Sequence, residues 1–265
     1  DQDSDQYGLI VRVFADQYTV LSPQEEVCPK PSKEISSTSL QSVNDQDATF
    51  RRKGEDKVKG YSANLTETCN EAGLNLITDV EVKPATAPDN EFVQPAVERT
   101  QQVVGSVLEV SMDGAYNDAQ NSEYAKEEGK KFHYTGLQGR QGRFIYQRTP
   151  EGVEVIDRGT GEVQLATEYK PGKYKIIRDG KPRYFKAHDI DNYVKRQQVE
   201  DLPAHIRNRR NNVEASIFQL SYYTKDGQTR YRGLIPHQVW AFCRGLWINL
   251  VRIKNYLTQP ELIPA

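Results

Sequence analysis

Residues 106–116 read S-V-L-E-V-S-M-D-G-A-Y. Val107, Leu108, Val110 and Met112 give an apolar run of strand length, rich in β-branched residues, that stops at Asp113, Gly114 and Ala115. Such a run predicts a buried strand delivering a carboxylate at its C-terminal end, the rim where open α/β sheets bind ligands. Read locally, Asp113 serves equally as a turn former or as the N-cap of a following helix. The flanking sequence has to decide.

Upstream, three strands are predicted. Residues 39–53 form a polar strand closed by a charged hairpin turn. Residues 61–69 alternate, with Tyr61, Ala63 and Leu65 on one face. Residues 74–82 alternate again, with Leu74, Leu76, Thr78, Val80 and Val82 on one side. Asp89 is the expected N-cap of a helix on which Phe92, Val93, Ala96, Thr100 and Val103 recur at helical spacing, with Pro95 in its early turns and Gly105 at its end. Downstream, Asn117 or Asp118 caps a short helix ending at Gly129, and residues 131–137 make a fifth strand. The order is β-β-β-α-β-α-β.

Residues 138–200 differ in texture. Gly, Lys, Arg and Tyr are frequent, and short alternating runs predict a basic, β-rich insertion. Asp201-Leu202-Pro203 then opens a helix with Val213, Ile217 and Leu220 on its apolar side. The last helix starts at Pro236. Val239, Phe242, Cys243, Leu246, Leu250, Ile253 and Leu257 hold a 3.6-residue period, flanked by Trp240 and Trp247, which predicts a core helix without a site. Residues 1–38 are dense in Pro and Ser and read as an N-terminal arm, whose apolar patch at 9–14 docks on the core or on preceding sequence. The chain thus divides into an arm (1–38), a first core segment (39–137), the insertion (138–200) and closing helices (201–265).

Composition limits the function classes. Of 265 residues, 37% are hydrophobic and 27% charged, and no apolar stretch approaches the roughly 18 residues of a membrane span. The start, D-Q-D-S-D-Q, lacks both a Met and a secretory signal and reads as a piece of a longer, cytoplasmic protein. Cys28, Cys69 and Cys243 are too far apart for a disulfide framework or a Cys-based zinc site, and His133, His188, His205 and His237 are equally scattered. Residues 1–125 carry 10 Lys/Arg and 22 Asp/Glu; residues 126–265 carry 25 and 15. The basic half is either a polyanion footprint or the electrostatic match of the acidic half.

Three acids are singled out by placement: Asp47 on the first strand, Asp113 at the end of the fourth, and Glu214 on a helix after the sheet. First and fourth strands lie side by side in many mixed sheets, and a packed helix can bring a third carboxylate over the same rim. Converging carboxylates repel, which a hard divalent cation such as Mg²⁺ offsets. Two ions about 3.5–4 Å apart, with Asp113 bridging, suit phosphodiester displacement. Each acid has another reading. Asp45 or Asp56 can replace Asp47, and Glu214 can be an i,i+4 partner of Arg210. Asp189 and Asp191 form a rival pair with His188. Tyr222 and Tyr223 either stack on a base or close their helix against the core.

Several segments resemble the catalytic domain of bacterial insertion-sequence transposases of the Asp-Asp-Glu type. They are D-A-T-F-R-R-K (47–53), K-G-Y-S-A-N-L (59–65), L-N-L-I-T-D-V-E-V (74–82) with A-T-A-P-D-N (85–90), M-D-G-A-Y (112–116), R-R-N-N-V-E-A-S-I-F (209–218), R-Y-R-G-L (230–234) and N-L-V-R-I (249–253). The resemblance covers about residues 39–137 and 202–256, in the family's order. It implies an RNase H-like mixed five-stranded sheet flanked by helices, with the β-rich insertion before the final catalytic helix. It implies Asp47, Asp113 and Glu214 as catalytic acids holding two Mg²⁺ ions, with Mn²⁺ as a substitute. The activity implied is hydrolysis at transposon ends followed by 3′-hydroxyl strand transfer into target DNA. Arg207, Arg209, Arg210, Arg140 and Arg143 are the implied contacts to double-stranded DNA, bound by a homodimer on the bacterial nucleoid. The chain departs from the family at Arg207, where a Tyr is usual, and at Ser221, where a Lys is usual; Lys225 or Arg207 can supply the phosphate contact. The family's N-terminal DNA-binding region has no counterpart here. Two other readings remain open: an inactive DNA-binding remnant, and a simple nuclease of the same fold.

Overall fold

The computed structural model describes residues 4–20, 26–70, 73–137, 142–222, 224 and 227–258. These residues form a mixed α/β structure with six helices and several sheets, divided into two units: residues 1–107 with 211–265, and residues 108–210. No described helix is long and apolar enough to cross a membrane.

The arm is more structured than its composition suggests. Helix α1 (Asp5–Gln17) is capped by the Ser4 side chain, which accepts from the Tyr7 N–H at 3.2 Å. It buries none of its residues, and Ile10, Val11 and Phe14 are exposed, so the patch at 9–14 is not docked on the described core. Strands β1 (Tyr18–Val20) and β2 (Val27–Pro29) pair antiparallel.

The meander follows as β3 (Thr49–Lys53), β4 (Asp56–Glu67) and β5 (Ile77–Pro84), antiparallel in that order. Strand β3 is much shorter than expected, because serines upstream take the backbone into turns. Ser42 Oγ accepts the Asn44 N–H at 3.2 Å, and the Ser39 N–H bonds the Ser36 carbonyl at 3.0 Å. Ala63 is exposed, whereas Asn64 and Leu65 are buried. Helix α2 (Val93–Val104) packs Val93, Ala96, Val97 and Thr100 inward and stops at Gly105, whose φ of +86° suits glycine. Asp89 does not cap it. It opens a 3₁₀ turn and holds Arg51 through two hydrogen bonds of 3.2 and 3.4 Å.

In the second unit, β6 (Glu109–Met112) pairs parallel with β7 (Lys131–Tyr134) through α3 (Ala119–Glu127), which Asp118 caps by accepting the Asn121 N–H at 2.6 Å. Strand β6 is not buried as expected. Only Met112 is, and Leu108 is 72% exposed, since a two-stranded sheet cannot cover both of its faces. The insertion is a five-stranded antiparallel sheet, order β12-β11-β10-β9-β8, made of β8 (Phe144–Thr149), β9 (Gly152–Asp157), β10 (Val163–Lys170), β11 (Lys173–Arg178) and β12 (Lys181–Lys186). Asp179 and Gly180, both at positive φ, form the two-residue turn between β11 and β12. Helix α4 (Ala187–Glu200) follows and drives Ile190 into a core with Val153, Val155, Ile176 and Phe185.

Helix α5 (Ala204–Ser221) runs from the second unit into the first, and α6 (Leu234–Leu257) completes the first unit. The core there is Leu65, Ile77, Val80, Val82, Leu220, Ala241 and Ile248. Helix α6 reverses the expected facing. Ala241, Gly245 and Ile248 are its buried residues, while Val239, Phe242, Cys243, Leu246, Leu250, Ile253 and Leu257 are exposed. Two causes are visible. A Cβ on Gly245 would sit 3.0 Å from Val80 Cγ2, so the small face allows the closest approach. Polar side chains on that side have partners: the Gln238 amide bonds the Val82 N–H and Val80 C=O at 2.7 and 2.8 Å, and Asn249 bonds both main-chain groups of Ile77 at 2.8 Å. These amides satisfy the border of β5.

The single five-stranded mixed sheet is not formed. Its expected strands lie in the antiparallel β3-β4-β5 sheet and the parallel β6-β7 pair, and the five-stranded sheet belongs to the insertion. The outer border of β3 is engaged by its own unit: the Phe50 N–H bonds the Ser37 carbonyl at 2.9 Å.

Candidate functional site

Asp113 leaves the C-terminal end of β6, beside the end of the parallel β7. A glycine must follow it. A Cβ on Gly114 would run into the Gly136 carbonyl oxygen and lie 2.6 and 2.9 Å from Gly136 C and Leu137 Cα. Backbone packs on backbone, with the Thr135 N–H bonding the Met112 carbonyl at 3.0 Å. Gly114→Ala is expected to cost about 2–3 kcal/mol by overpacking, read as a lowered urea midpoint. An unchanged midpoint would show that the loop has room to give.

Arg210 supplies the counter-charge. Its Nη2 lies 3.2 Å from Asp113 Oδ2, and its Nη1 donates to Thr135 Oγ1 at 3.3 Å. Arg209 donates to Glu109 at 3.2 Å. That hydrogen bond, with the nearby charges of His133, Lys131 and Arg209, holds the Glu109 carboxyl below its usual range. Cations thus line the second unit where the parallel strands present acids.

Tyr134, at the end of β7, is raised from an ordinary tyrosine value of 10.0 to about 12 by burial and then by the charge of Asp118. Between these values the unfolded chain loses a proton that the folded chain keeps. The contribution is intact below about pH 10 and declines as pH rises toward 12. Wild type is expected to lose about 1 kcal/mol more than Tyr134→Phe between pH 9 and pH 11, measured by urea unfolding. Equal losses would contradict it.

In the first unit, Asp47 is not on a strand. It sits in the turn before β3, exposed, and accepts the N–H of Leu234, the first residue of α6, at 3.3 Å. A carboxylate there is favoured by the helix dipole. Beside it, Tyr61 donates its hydroxyl to Asp45, and its ring lies 4.4 Å from that of His237. Burial, the bond to Asp45 and the charges of Asp45 and Asp47 all push the Tyr61 hydroxyl up, so it remains a donor. His237 is tied to Thr229 Oγ1 and the Gly233 carbonyl, each at 2.8 Å. Tyr61 and His237 have no sequence signal as site residues, because their meeting depends on where α6 starts.

Glu214 lies exposed on α5. Arg207 donates to the Glu200 and Leu202 carbonyls at 2.9 and 3.2 Å and so finishes the end of α4. Arg143 bonds Asp157 at 2.9 Å. Arg140, Tyr223 and Lys225 lie outside the described residues. The rival acids have structural partners: Asp189 accepts the Lys186 N–H and Asp191 pairs with Arg148, both at 2.8 Å, while His188 bonds Asn192. Tyr222 does not close α5 against the core; it is 66% exposed and edge-on to Phe218.

Asp47 and Glu214 belong to the first unit and Asp113 to the second. As hard oxygen donors, the three suit Mg²⁺ in kind. Among the described residues, no group of three or more His, Cys, Asp or Glu side chains is gathered to hold a metal ion. No protein-family model, curated protein or solved structure matches the chain.

Proposed function

We propose that this chain is the catalytic domain of a DNA transposase of the Asp-Asp-Glu type, with an RNase H-like fold. One observation carries the reading. Three antiparallel strands, a helix, a strand, a helix and a parallel strand follow in order, and the first strand of the parallel pair ends in Asp113, held by Arg210. That element order suits an RNase H-like core, and Asp113 stands at the strand end where such a core needs an acid.

In this reading Asp47, Asp113 and Glu214 hold two Mg²⁺ ions, or Mn²⁺ in their place. Bound there, the ions would activate the attacking oxygen and stabilise the leaving one. Arg210 orients the Asp113 carboxylate. Arg209 and Arg143, with Arg207 and Arg140, supply contacts to DNA phosphates, giving affinity that is salt-sensitive and largely independent of sequence. Double-stranded DNA, as transposon end and as target, is the substrate, and a bacterial cytoplasm is the compartment.

The test is metal-dependent nicking and joining on duplexes that carry the ends flanking this protein's gene. Joined product through a 3′-hydroxyl, with Mg²⁺ or Mn²⁺ and not with EDTA, is the expected result. Nicking without joining leaves a simple nuclease. DNA binding with neither reaction leaves a non-catalytic remnant.

A further inference from the structure

We propose that α6 is a self-association surface on which two copies of this chain pair antiparallel about a two-fold axis at Leu246. The inference is independent of the activity proposed above.

Ile235, Val239, Phe242, Leu246, Leu250, Ile253 and Leu257 form an outward stripe, each between 36% and 76% exposed. Their period of about 3.7 residues keeps them on one side of a nearly straight helix. The only Lys or Arg residues of α6 before Lys254 are Arg244 and Arg252, and both are bound within their own unit. Arg244 donates to the Gln219 carbonyl at 2.7 Å, and Arg252 to Glu67 at 3.0 Å. Over residues 235–253 a phosphate backbone therefore finds no cation, whereas an apolar partner finds a long uncharged face; the exposed Lys254 lies at its C-terminal end.

The spacing identifies the partner. Counted from Leu246, the other six residues fall 4, 7 and 11 positions to each side. An antiparallel copy turned about Leu246 sets Leu246 on Leu246, Phe242 against Leu250, Val239 against Ile253 and Ile235 against Leu257. A two-fold interface requires such self-complementarity, which an unrelated partner would not impose. The stripe is about 33 Å long. Trp247, 57% exposed, widens it on one flank.

Sedimentation equilibrium of the full chain over about 1–50 μM tests this. The expected mass is twice the 30.2 kDa monomer. Leu246→Glu places two carboxylates at the axis and is expected to weaken the dimer on the order of 100-fold. Leu250→Lys is expected to do the same, and circular dichroism with thermal unfolding checks that each variant folds. Orientation is read by disulfide formation with Cys28, Cys69 and Cys243 replaced by Ser. Phe242→Cys mixed with Leu250→Cys cross-links, whereas Phe242→Cys alone does not, because its two copies lie about 12 Å apart along the axis. A monomeric wild type, a dimer indifferent to both charged variants, or self-cross-linking of Phe242→Cys would overturn the proposal.

Discussion

Asp113→Asn is expected to leave folding and DNA binding intact while lowering strand joining by about 10²–10³-fold or more, the scale on which losing one charge-stabilising group falls. The substitution keeps the shape and removes the charge. Its structural cost is small. The pair with Arg210 is 37% and 45% exposed on its two sides, and an ion pair so well hydrated contributes less than about 1 kcal/mol. Stability and chemistry therefore separate. Urea unfolding and a salt-titrated binding isotherm should match wild type, and only the joined product in Mg²⁺ should disappear. A variant that still joins ends at the wild-type rate removes Asp113 from the chemistry, whatever its place at the end of β6.

Arg252→Ala is expected to destabilise the protein by about 3–5 kcal/mol, the cost of stranding a buried charge. The Glu67 side chain is 2% exposed, and Ser216 is fully buried. Glu67 Oε2 accepts from Ser216 Oγ at 2.5 Å and from Arg252 Nη1 at 3.0 Å, while Arg252 Nη2 reaches Ser216 Oγ at 2.5 Å. Glu67 Oε1 finds no hydrogen-bond partner among the described residues, so Arg252 carries most of the compensation. Its loss should lower the thermal midpoint by several degrees. Glu67→Gln in the Arg252→Ala background should recover part of it, because a neutral amide is cheaper to bury than a carboxylate. No recovery would mean that the packing of the arginine stem, rather than charge, is what the site needs.

The sequence was legible where a signal is local. Gly105 and Gly129 end their helices at positive φ, Asp118 caps α3, and Asp113 closes its strand because an apolar run stops there. It misled where the deciding partner is remote. Helix α4 escaped notice because Ile190 is its only fully buried residue. Strand β10 carries little signal because its large apolar residues Val163 and Leu165 take the exposed side, while Gln164 and the small Ala166 take the half-buried one. On α6 the count of large apolar residues pointed at one face, while the sheet took the face with Ala241, Gly245 and the amides. That choice is made by the shape and main-chain groups of β5, which no window of the helix contains. The site divides the same way. Arg210 stands out as the residue one turn before Glu214 in the sequence, but its hold on Asp113 and Thr135 is a property of the folded loop.

The two carboxamides on β5 also fix the roll of α6. Gln238 and Asn249 are three turns apart and together make four hydrogen bonds to main-chain groups, each of net value about 1 kcal/mol. Turning the helix to hide its greasy side would break all four and push Phe242 or Leu246 into space that now fits only a glycine. With that roll fixed, Val239, Phe242, Leu246 and Leu250 stay exposed, whatever facing their greasiness alone would favour.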